Sequence, residues 1–484
     1  MPDVQSQLRK LEPVLGSKKV QALWAMYLAS DEKDKRRWTE TIALLSDKYA
    51  KDNYQEKILL PPPHREMCDG EYPLGTVWYP EEPYAQFGIR EGEWIKHIGI
   101  FGVTGSGKTN CACLLLSELL RHGKPFLICD WKKNYRDLVA IPEFKDQLII
   151  FTAGKRVAPF RFNPLIPPPG TDQKIWLKKL IEIIEHAFFV GEGVAYIFKE
   201  AMDEVYRDYG VYTGTNTSFP TFLDVEHAIA RRYRNVRGRE MLWLASARRT
   251  LGSLNFGPMN EVVNTSKPLS IAELLHHNVI IELDALTEDN KTFLVEALIL
   301  WIYQYRLEQG KREEFKHCIV IEEAHNILLK KKQEQHGRET IMDFTLRMIR
   351  ELGEGFILID QHPSLISVPA LGNTNTTISF NLKHGNDVQA MSKAMLLERD
   401  QQRYLGQLKV GDAIVKIQDR HPEPFLVRVT LFALAKGQVT DKMIREHMQE
   451  YSRHSGSVMT PIDESSCIQV LPPKDTLSPL EAIM

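Results

Sequence analysis

The sequence of 484 residues has no long hydrophobic run and no secretory signal. Its longest apolar stretch, residues 293–305, is interrupted by Glu296 and Gln304 and is too short to cross a bilayer. The first residues, MPDVQSQLRKLEP, contain no apolar core of the kind that a signal peptide requires. These absences predict a protein that does not enter the membrane, in which residues 293–305 form a buried helix.

The sequence also lacks closely spaced cysteine pairs of the CxxC type and has a net charge close to zero. The six cysteines include no CxxC pair, which favours a reducing compartment and predicts a cytoplasmic protein. The formal net charge is −2, so no overall basic field indicates a nucleic-acid partner. A ring-shaped assembly can still place lysine and arginine on one surface, so the charge balance does not exclude DNA.

Composition and periodicity predict several units along the chain. Hydrophobic residues make up 43% and charged residues 26%, as in globular proteins, and the length favours two or three domains. Helix-spaced apolar residues predict an N-terminal helical cap over residues 1–60, which the prolines at 61–63 terminate. Residues 61–97 are expected to form short strands and loops, and residues 172–260 a helical insertion. Residues 436–484 are expected to form a C-terminal extension that is partly flexible.

The remaining segments, 98–171 and 261–435, predict an α/β core. Short apolar runs alternate with helical patterns, which is typical of a doubly wound, mainly parallel sheet. The predicted strands lie at residues 97–101, 124–130, 147–151, 279–283, 318–321, 356–359, 378–382, 413–417 and 425–429.

One glycine-rich loop matches the phosphate-binding pattern G-x-x-x-x-G-K-[ST] at every defined position. It reads GVTGSGKT over residues 102–109, between an apolar strand and a helical run. Glycines let backbone N–H groups turn toward phosphates, Lys108 reaches the β and γ oxygens, and the Thr109 hydroxyl binds Mg²⁺. The predicted ATP-binding residues are Gly102, Val103, Thr104, Gly105, Ser106, Gly107, Lys108, Thr109 and Asn110.

Two acids follow the apolar strand HCIVI at residues 317–321. Glu322 is predicted to hold Mg²⁺ together with Thr109, and Glu323 to act as the general base for the attacking water. A solvated acidic turn is the alternative interpretation of this pair. Beside a phosphate-binding loop, the pair favours hydrolysis over phosphoryl transfer to a metabolite, for which no acceptor pocket is evident.

With both motifs placed, the chain resembles the HerA/FtsK superfamily of ring-forming DNA motor ATPases, and the HerA branch in particular. The residues that carry the resemblance are 102–109 (GVTGSGKT), 322–326 (EEAHN) and 347–364 (RMIRELGEGFILIDQHPS). The resemblance covers about residues 70–430. It implies a RecA-like core, a homohexamer with ATP between subunits, and double-stranded DNA in the central channel. The β-barrel usual in HerA proteins, where partner nucleases of the family tend to dock, is absent or reduced to residues 56–97.

Three further residues are candidates for catalysis. Gln361 follows a strand expected to lie beside the phosphate-loop strand, where its amide could sense the γ-phosphate; stabilisation of a turn is the alternative. Arg347 and Arg350 precede that strand and could reach across a subunit boundary to the leaving phosphates, although helix arginines are usually only solvated.

Weaker candidates remain open between a functional and a structural role. Asp130 could support the site or cap a helix, and His325 could relay the state of the γ-phosphate. DNA phosphates could contact the basic segment WKKNYR at 131–136, the arginines of the segment 231–249, or the lysines at 330–332; each could equally be a solvated surface.

Two functions are consistent with these residues. The first is an ATP-driven hexameric DNA translocase that works with a nuclease or another effector in DNA processing or antiviral defence. The second is an ATP-gated ring that assembles and activates an effector with little translocation. Because both functions use the same catalytic residues, the sequence does not separate them.

Overall fold

The computed structural model describes residues 4–53, 58–232, 237–310, 314–336 and 339–455. Within them, eleven strands form one sheet in the order β2-β1-β11-β10-β9-β3-β8-β7-β4-β6-β5. The strands are β1 (Tyr72–Trp78), β2 (Pro83–Ile89), β3 (Ile98–Phe101), β4 (Phe126–Asp130), β5 (Leu148–Thr152), β6 (Asn278–Glu282), β7 (His317–Glu322), β8 (Glu354–Asp360), β9 (Thr376–Ser379), β10 (Asp412–Ile417) and β11 (His421–Val429).

Helices connect many of the strands, and four of them, α7–α10, lie within residues 172–260. The α-helices are α1 (Val4–Leu15), α2 (Ser17–Ala29), α3 (Glu32–Asn53), α4 (Glu91–Trp94), α5 (Lys108–Arg121), α6 (Pro142–Lys145), α7 (Gln173–Phe188), α8 (Glu192–Asp208), α9 (Phe222–Arg232), α10 (Glu240–Leu254), α11 (Gly257–Val263), α12 (Ile271–Leu274), α13 (Glu288–Gln309), α14 (Lys330–His336), α15 (Ile341–Ile349), α16 (Val368–Gly372), α17 (Gly385–Met395) and α18 (Asp441–Ser455). Short 3₁₀ helices lie at Arg65–Met67, Arg136–Ala140, Val211–Thr213, Ala324–Asn326, Arg350–Leu352, Pro363–Leu365 and Gln402–Gly406.

The seven strands from β9 to β5 in the sheet order run parallel. Apart from Asn278 at the start of β6, strands β3 to β8 are buried along their whole lengths, which explains their nearly continuous apolar sequences. Because parallel strands share their direction, the carboxyl ends of β3, β4, β7 and β8 meet at one edge. The mainly parallel, RecA-like α/β fold predicted from the sequence is confirmed.

The segment 61–97 joins the main sheet instead of forming a separate barrel. Strand β1 pairs antiparallel with β11 and with β2, so both early strands extend the sheet beyond β11. Strand β9 lies at Thr376–Ser379, about two residues before the predicted run 378–382. Phe380 and Leu382 lie after the end of the strand and are buried. Their apolar character therefore indicated burial in the core, and not hydrogen-bonded pairing with a neighbouring strand.

Helix α13 contains the long apolar run of the sequence. Nearly all of its residues from Asn290 to Gln304 are buried, which explains why apolar side chains surround this helix instead of forming one stripe. Among the described helices, none has both the length and the apolar character needed to span a membrane.

The two ends of the described chain pack differently. Helices α1–α3 have a small hydrophobic core of their own, and the Tyr79 hydroxyl donates to the Glu12 carboxylate at 2.7 Å. Helix α18 packs against the edge strand β5, where Met448 Sδ accepts from the backbone N–H of Ile150 at 3.3 Å. The last part of the predicted flexible extension, residues 456–484, lies outside the described residues.

Candidate nucleotide-binding site

The phosphate-binding loop connects β3 to α5 and requires its glycines. Gly102, Gly105 and Gly107 have φ values of 152°, 80° and 126°, which side-chain-bearing residues rarely adopt. A Cβ on Gly102 would lie 2.7 Å from Phe380 Cβ, and one on Gly107 would lie 3.0 Å from a Phe380 ring carbon. The loop therefore folds closely over the residues after β9, and Gly102 and Gly107 cannot be replaced without displacing Phe380.

Lys108, the first residue of α5, lies over this loop. Its ammonium donates to the carbonyl oxygens of Gly102 at 2.6 Å and Val103 at 3.0 Å. Burial lowers the pKa of Lys108 to about 8, although the charges of Glu323 and Asp360 oppose that shift. A phosphate group would return the ammonium to its ordinary charged state, so this lysine is suited to bind an anion.

The two acids after the apolar strand line the same cavity as the phosphate loop. This cavity has a volume of about 510 Å³ and contacts Lys108, Thr109, Glu322, Glu323 and Gln361. Strand β7, which carries the acids, is separated from β3 by β8. The tip of β8 therefore lies between the acids and the phosphate loop, and Gln361 occupies that position.

Glu322 is a buried carboxylate close to other negative charges. The Asn134 amide donates to both of its oxygens, at 2.9 and 3.1 Å. Burial, together with the charge of Asp130, raises the pKa of Glu322 to about 8. Burial also raises the pKa of Asp130 to about 6, against hydrogen bonds from the backbone of the following loop. Such uncompensated negative charge beside Thr109 fits a divalent cation, so Thr109 and Glu322 remain the predicted ligands of Mg²⁺.

Glu323 follows the strand with φ 50°, in the left-handed region. Its Oε1 accepts from Gln361 Nε2 at 2.8 Å and from the ammonium of Lys132. Gln361 Oε1 in turn accepts from the Thr104 hydroxyl at 2.5 Å. A continuous chain of hydrogen bonds therefore joins the loop after β4, the candidate base and the phosphate loop.

Sequence analysis missed the role of Asp360, the last residue of β8. One Asp360 oxygen accepts from the backbone N–H of His325 at 2.7 Å and lies 2.9 Å from His325 Nδ1. Burial tends to lower the pKa of His325, but the contact with Asp360 outweighs it and raises the pKa. Ligand atoms of Glu323, His325 and Asp360 lie within 4.8 Å of one another, so they could also hold a metal ion. The signal was an acid ending an apolar strand, as at Asp130.

The two candidate arginines lie away from this cavity. Arg347 lies in the last turn of α15 and Arg350 begins the following 3₁₀ helix, both before β8, whereas Gln361 follows β8. Six residue steps along that strand separate its ends by roughly 20 Å. The Arg347 guanidinium binds Glu339 with contacts of 3.2 and 2.8 Å. Within the described residues, no arginine lines the nucleotide cavity.

The basic segment at 131–136 is neither a free basic surface nor an ordinary exposed loop. Trp131 is buried and donates to Glu288, Lys132 contacts Glu323, and Lys133 pairs with Asp284. The other basic candidates differ among themselves. Arg231 and Arg232 pair with acids of α8, Lys332 is buried, and Arg248 and Arg249 are exposed. Part of the segment 231–249, residues 233–236, lies outside the described residues.

A second wall of the cavity comes from the residues after β11. The side chain of Asn110 donates to the Thr430 carbonyl at 2.9 Å and accepts from the Phe432 N–H at 2.8 Å. These bonds hold Phe432, Leu434 and Lys436 against the cavity, where apolar side chains could pack on a nucleobase. Because the two segments are some 320 positions apart, the sequence contained no signal for this wall.

Known proteins are similar to this chain in sequence. The family model "Helicase HerA, central domain" matches residues 91–302. The probable helicase MJ1565 from Methanocaldococcus jannaschii is 23% identical over 344 residues, which cover 66% of this chain. The chain spans about 60% of the length of that relative.

Solved structures of similar fold include VirB4 of Thermoanaerobacter pseudethanolicus and the plasmid coupling protein TrwB in complex with ADP and Mg²⁺. The VirB4 structure has a TM-score of 0.58 and 12% identity, covering 75% of this chain and 97% of VirB4. The TrwB structure has a TM-score of 0.55 and 15% identity, covering 79% of this chain and 95% of TrwB. The family match supports the resemblance to the HerA/FtsK superfamily of P-loop ATPases, and the solved structures show that the chain shares their fold.

Proposed function

We propose that this protein is an ATP-hydrolysing motor that translocates double-stranded DNA as a homohexamer. The observation that carries the proposal is one cavity that Lys108, Thr109, Glu322 and Glu323 line together. Within the described residues, no arginine lines this cavity. The first four residues supply what hydrolysis of a bound triphosphate requires. The missing arginine is a reason to expect a second subunit at the site.

Each residue has a defined task in this proposal. The phosphate-loop amides and Lys108 bind the β- and γ-phosphates, and Thr109 and Glu322 would hold Mg²⁺. The Mg²⁺ ion, when bound, neutralises charge on the phosphates. Glu323 accepts a proton from the attacking water, and Gln361 orients that water through its hydrogen bond to Glu323.

The positions of Arg347 and Arg350 support assembly into a ring. Because both lie at the opposite end of β8 from their own cavity, they can reach a nucleotide only in another subunit. A guanidinium supplied in this way stabilises the negative charge that develops on the transferred phosphate. We therefore assign the two arginines to the neighbouring site of a homohexamer.

DNA is proposed as the substrate on which the motor acts. The similar proteins include a probable helicase and a plasmid coupling protein. We extend this proposal to a cytoplasmic role in DNA processing or antiviral defence, in which the motor works with a nuclease or another effector.

An ATP-gated scaffold is the second candidate function. It is favoured by three exposed apolar residues on the N-terminal helices, Met26, Leu28 and Leu44, whose exposed fractions are 56%, 59% and 71%. Such exposed apolar side chains suit a protein partner.

Two measurements on the wild-type protein test the proposal. The molecular mass in solution, with and without ATP, should be that of six chains when ATP is bound. ATP turnover should rise when duplex DNA is added, and the rise should weaken as salt increases. A monomer under all conditions contradicts the ring. ATP-dependent assembly with turnover that ignores DNA favours the scaffold over the motor.

A further inference from the structure

The loop after β4, residues 131–135, contacts both catalytic acids. Lys132 donates to Glu323, and Asn134 donates to Glu322. The buried carboxylate of Asp130 determines the shape of this loop. It accepts from the backbone N–H groups of Lys132 at 3.1 Å and Asn134 at 3.0 Å, and from Tyr135 at 3.1 Å. The buried carboxylate therefore fixes the backbone of Lys132, while its side chain stays partly exposed.

The contact from Lys132 occupies one of the two oxygens of the candidate base Glu323. A carboxylate oxygen has about two lone-pair positions, and Oε1 of Glu323 already accepts from Lys132 and from Gln361. Its other oxygen, Oε2, lies 3.7 Å from His325 Nδ1. In this arrangement Oε1 has no free position for a catalytic water, and its two donors fix the orientation of the carboxylate. Release of one donor would free Oε1 and let the carboxylate turn toward the water.

Lys132 is the donor suited to leave. Its side chain is 52% exposed, and ion pairs at such positions are weak and reversible. Gln361, in contrast, is held at both ends, by Glu323 and by Thr104. Lys132 also lines the open nucleotide cavity, so its ammonium can leave Glu323 without rearrangement of the loop.

We propose that Lys132 is a positioning residue that restrains the general base Glu323 and keeps ATP turnover low until the lysine leaves. This inference rests on the proposed ATP hydrolysis and adds a control element to it. The lysine touches neither the water nor the phosphate while it restrains Glu323. Its removal should free the base without changing how tightly nucleotide binds.

Turnover and nucleotide binding of three variants test this role. Lys132→Met keeps the length of the side chain and removes its charge, whereas Lys132→Arg retains an ion pair with Glu323. Lys133→Met is the matched control, because Lys133 pairs with Asp284 and does not line the cavity. We expect Lys132→Met to raise turnover without DNA about two- to fivefold, the range that an exposed ion pair allows. The other two variants should stay near the wild-type rate, and all three should bind a fluorescent ATP analogue as the wild type does.

Lower turnover of Lys132→Met with intact binding would overturn the restraint, because Lys132 would then act on the reacting phosphate. Unchanged turnover would overturn it as well. An inactive wild-type protein would instead refute the proposed hydrolysis. A second measurement on the nucleotide-free protein does not depend on activity: the rate at which an acetylating reagent labels Lys132, read by mass spectrometry.

The labelling rate reports the ion pair itself. Burial tends to lower the pKa of Lys132, but the contact with Glu323 outweighs it and raises the pKa, which disfavours the reactive neutral amine. Glu323→Gln should therefore speed labelling of Lys132 and leave that of Lys133 unchanged. Equal labelling of Lys132 in the two proteins would show that Glu323 does not hold it, and the inference would fail.

Discussion

Gln361 Nε2 donates to Glu323 Oε1 at 2.8 Å, which joins the tip of β8 to the tip of β7. Through its other amide atom, Gln361 accepts from Thr104 in the phosphate loop at 2.5 Å. The residue therefore contacts the candidate base and the phosphate-binding element at once. Its position matches the one expected for a sensor, whereas a residue that only stabilises a turn would bond within its own loop.

Replacing Gln361 should impair hydrolysis more than binding. Gln361→Ala removes a hydrogen bond to a charged group, and bonds of that strength correspond to a loss of about 10- to 100-fold in turnover. The affinity for a non-hydrolysable ATP analogue should change little, because the amide does not hold the phosphates in the resting site. Turnover and analogue binding, measured on the same preparation, check this. A large loss of affinity with normal turnover at saturation would assign Gln361 to binding.

Lys108→Ala should abolish ATP hydrolysis and weaken ATP binding. Loss of a charge-assisted contact to the phosphates corresponds to a decrease in affinity of about 10- to 100-fold. Lys96→Ala is the matched control, because Lys96 lies just before β3, at the opposite end of the strand, and pairs with the exposed Asp419. Calorimetric titration with ATP measures the effect. Unchanged turnover of Lys108→Ala would place the nucleotide elsewhere.

Glu323→Gln should bind ATP and retain it without hydrolysis. The substitution keeps the shape of the side chain but removes the proton acceptor, and general bases contribute about 10²- to 10⁴-fold to rate. Single-turnover hydrolysis of labelled ATP measures the loss, and filter binding shows retention of the nucleotide. If the variant is fully active, another group, such as Asp360, must accept the proton.

Arg350→Ala should lower turnover by about 10³-fold or more if its guanidinium serves a neighbouring subunit. Mixing Arg350→Ala subunits with Lys108→Ala subunits should then restore part of the activity, since some interfaces combine an intact arginine with an intact phosphate loop. The same mixture made with Arg347→Ala tests the alternative residue. Absence of complementation at every mixing ratio would exclude a role for Arg350 across the interface.

A buried cluster of charged side chains lies at the amino ends of β7 and β8, opposite the nucleotide site. This cluster should control the stability of the folded protein at acid pH. Glu354 accepts from Arg306 at 2.5 Å and lies 2.7 Å from His317 Nδ1, and all three side chains are buried. Burial alone would raise the pKa of Glu354, but His317 and Arg306 lower it to about 2 from its ordinary value of 4.5. The folded state therefore binds fewer protons than the unfolded state between these values. The stabilising contribution is complete above pH 4.5 and is lost as the pH falls toward 2.

Glu354→Gln tests this cluster. The substitution leaves a buried guanidinium without its counter-charge and should lower the free energy of unfolding by about 3–5 kcal/mol at neutral pH. Urea unfolding measured at several pH values would show the loss and a flatter acid dependence. Glu32→Gln, at an exposed residue that pairs with Lys35, should have no measurable effect. Equal stability of the wild type and Glu354→Gln at pH 7 would contradict the account.

The sequence by itself determined the phosphate loop, the paired acids and the mainly parallel sheet, because each depends on neighbouring residues. A glycine pattern such as GVTGSGKT defines its backbone locally, and a continuous apolar run defines a strand buried on both faces. The tertiary structure alone decided what depends on residues far apart in the chain. The contact of Lys132 with Glu323 joins positions 191 apart, and the wall that Asn110 anchors joins positions some 320 apart. The tertiary structure also decided that the side chains of residues 131–133 contact acidic residues elsewhere in the chain. Lysine and arginine look alike in sequence whether they face solvent or a buried carboxylate, and only packing determines which partner they have.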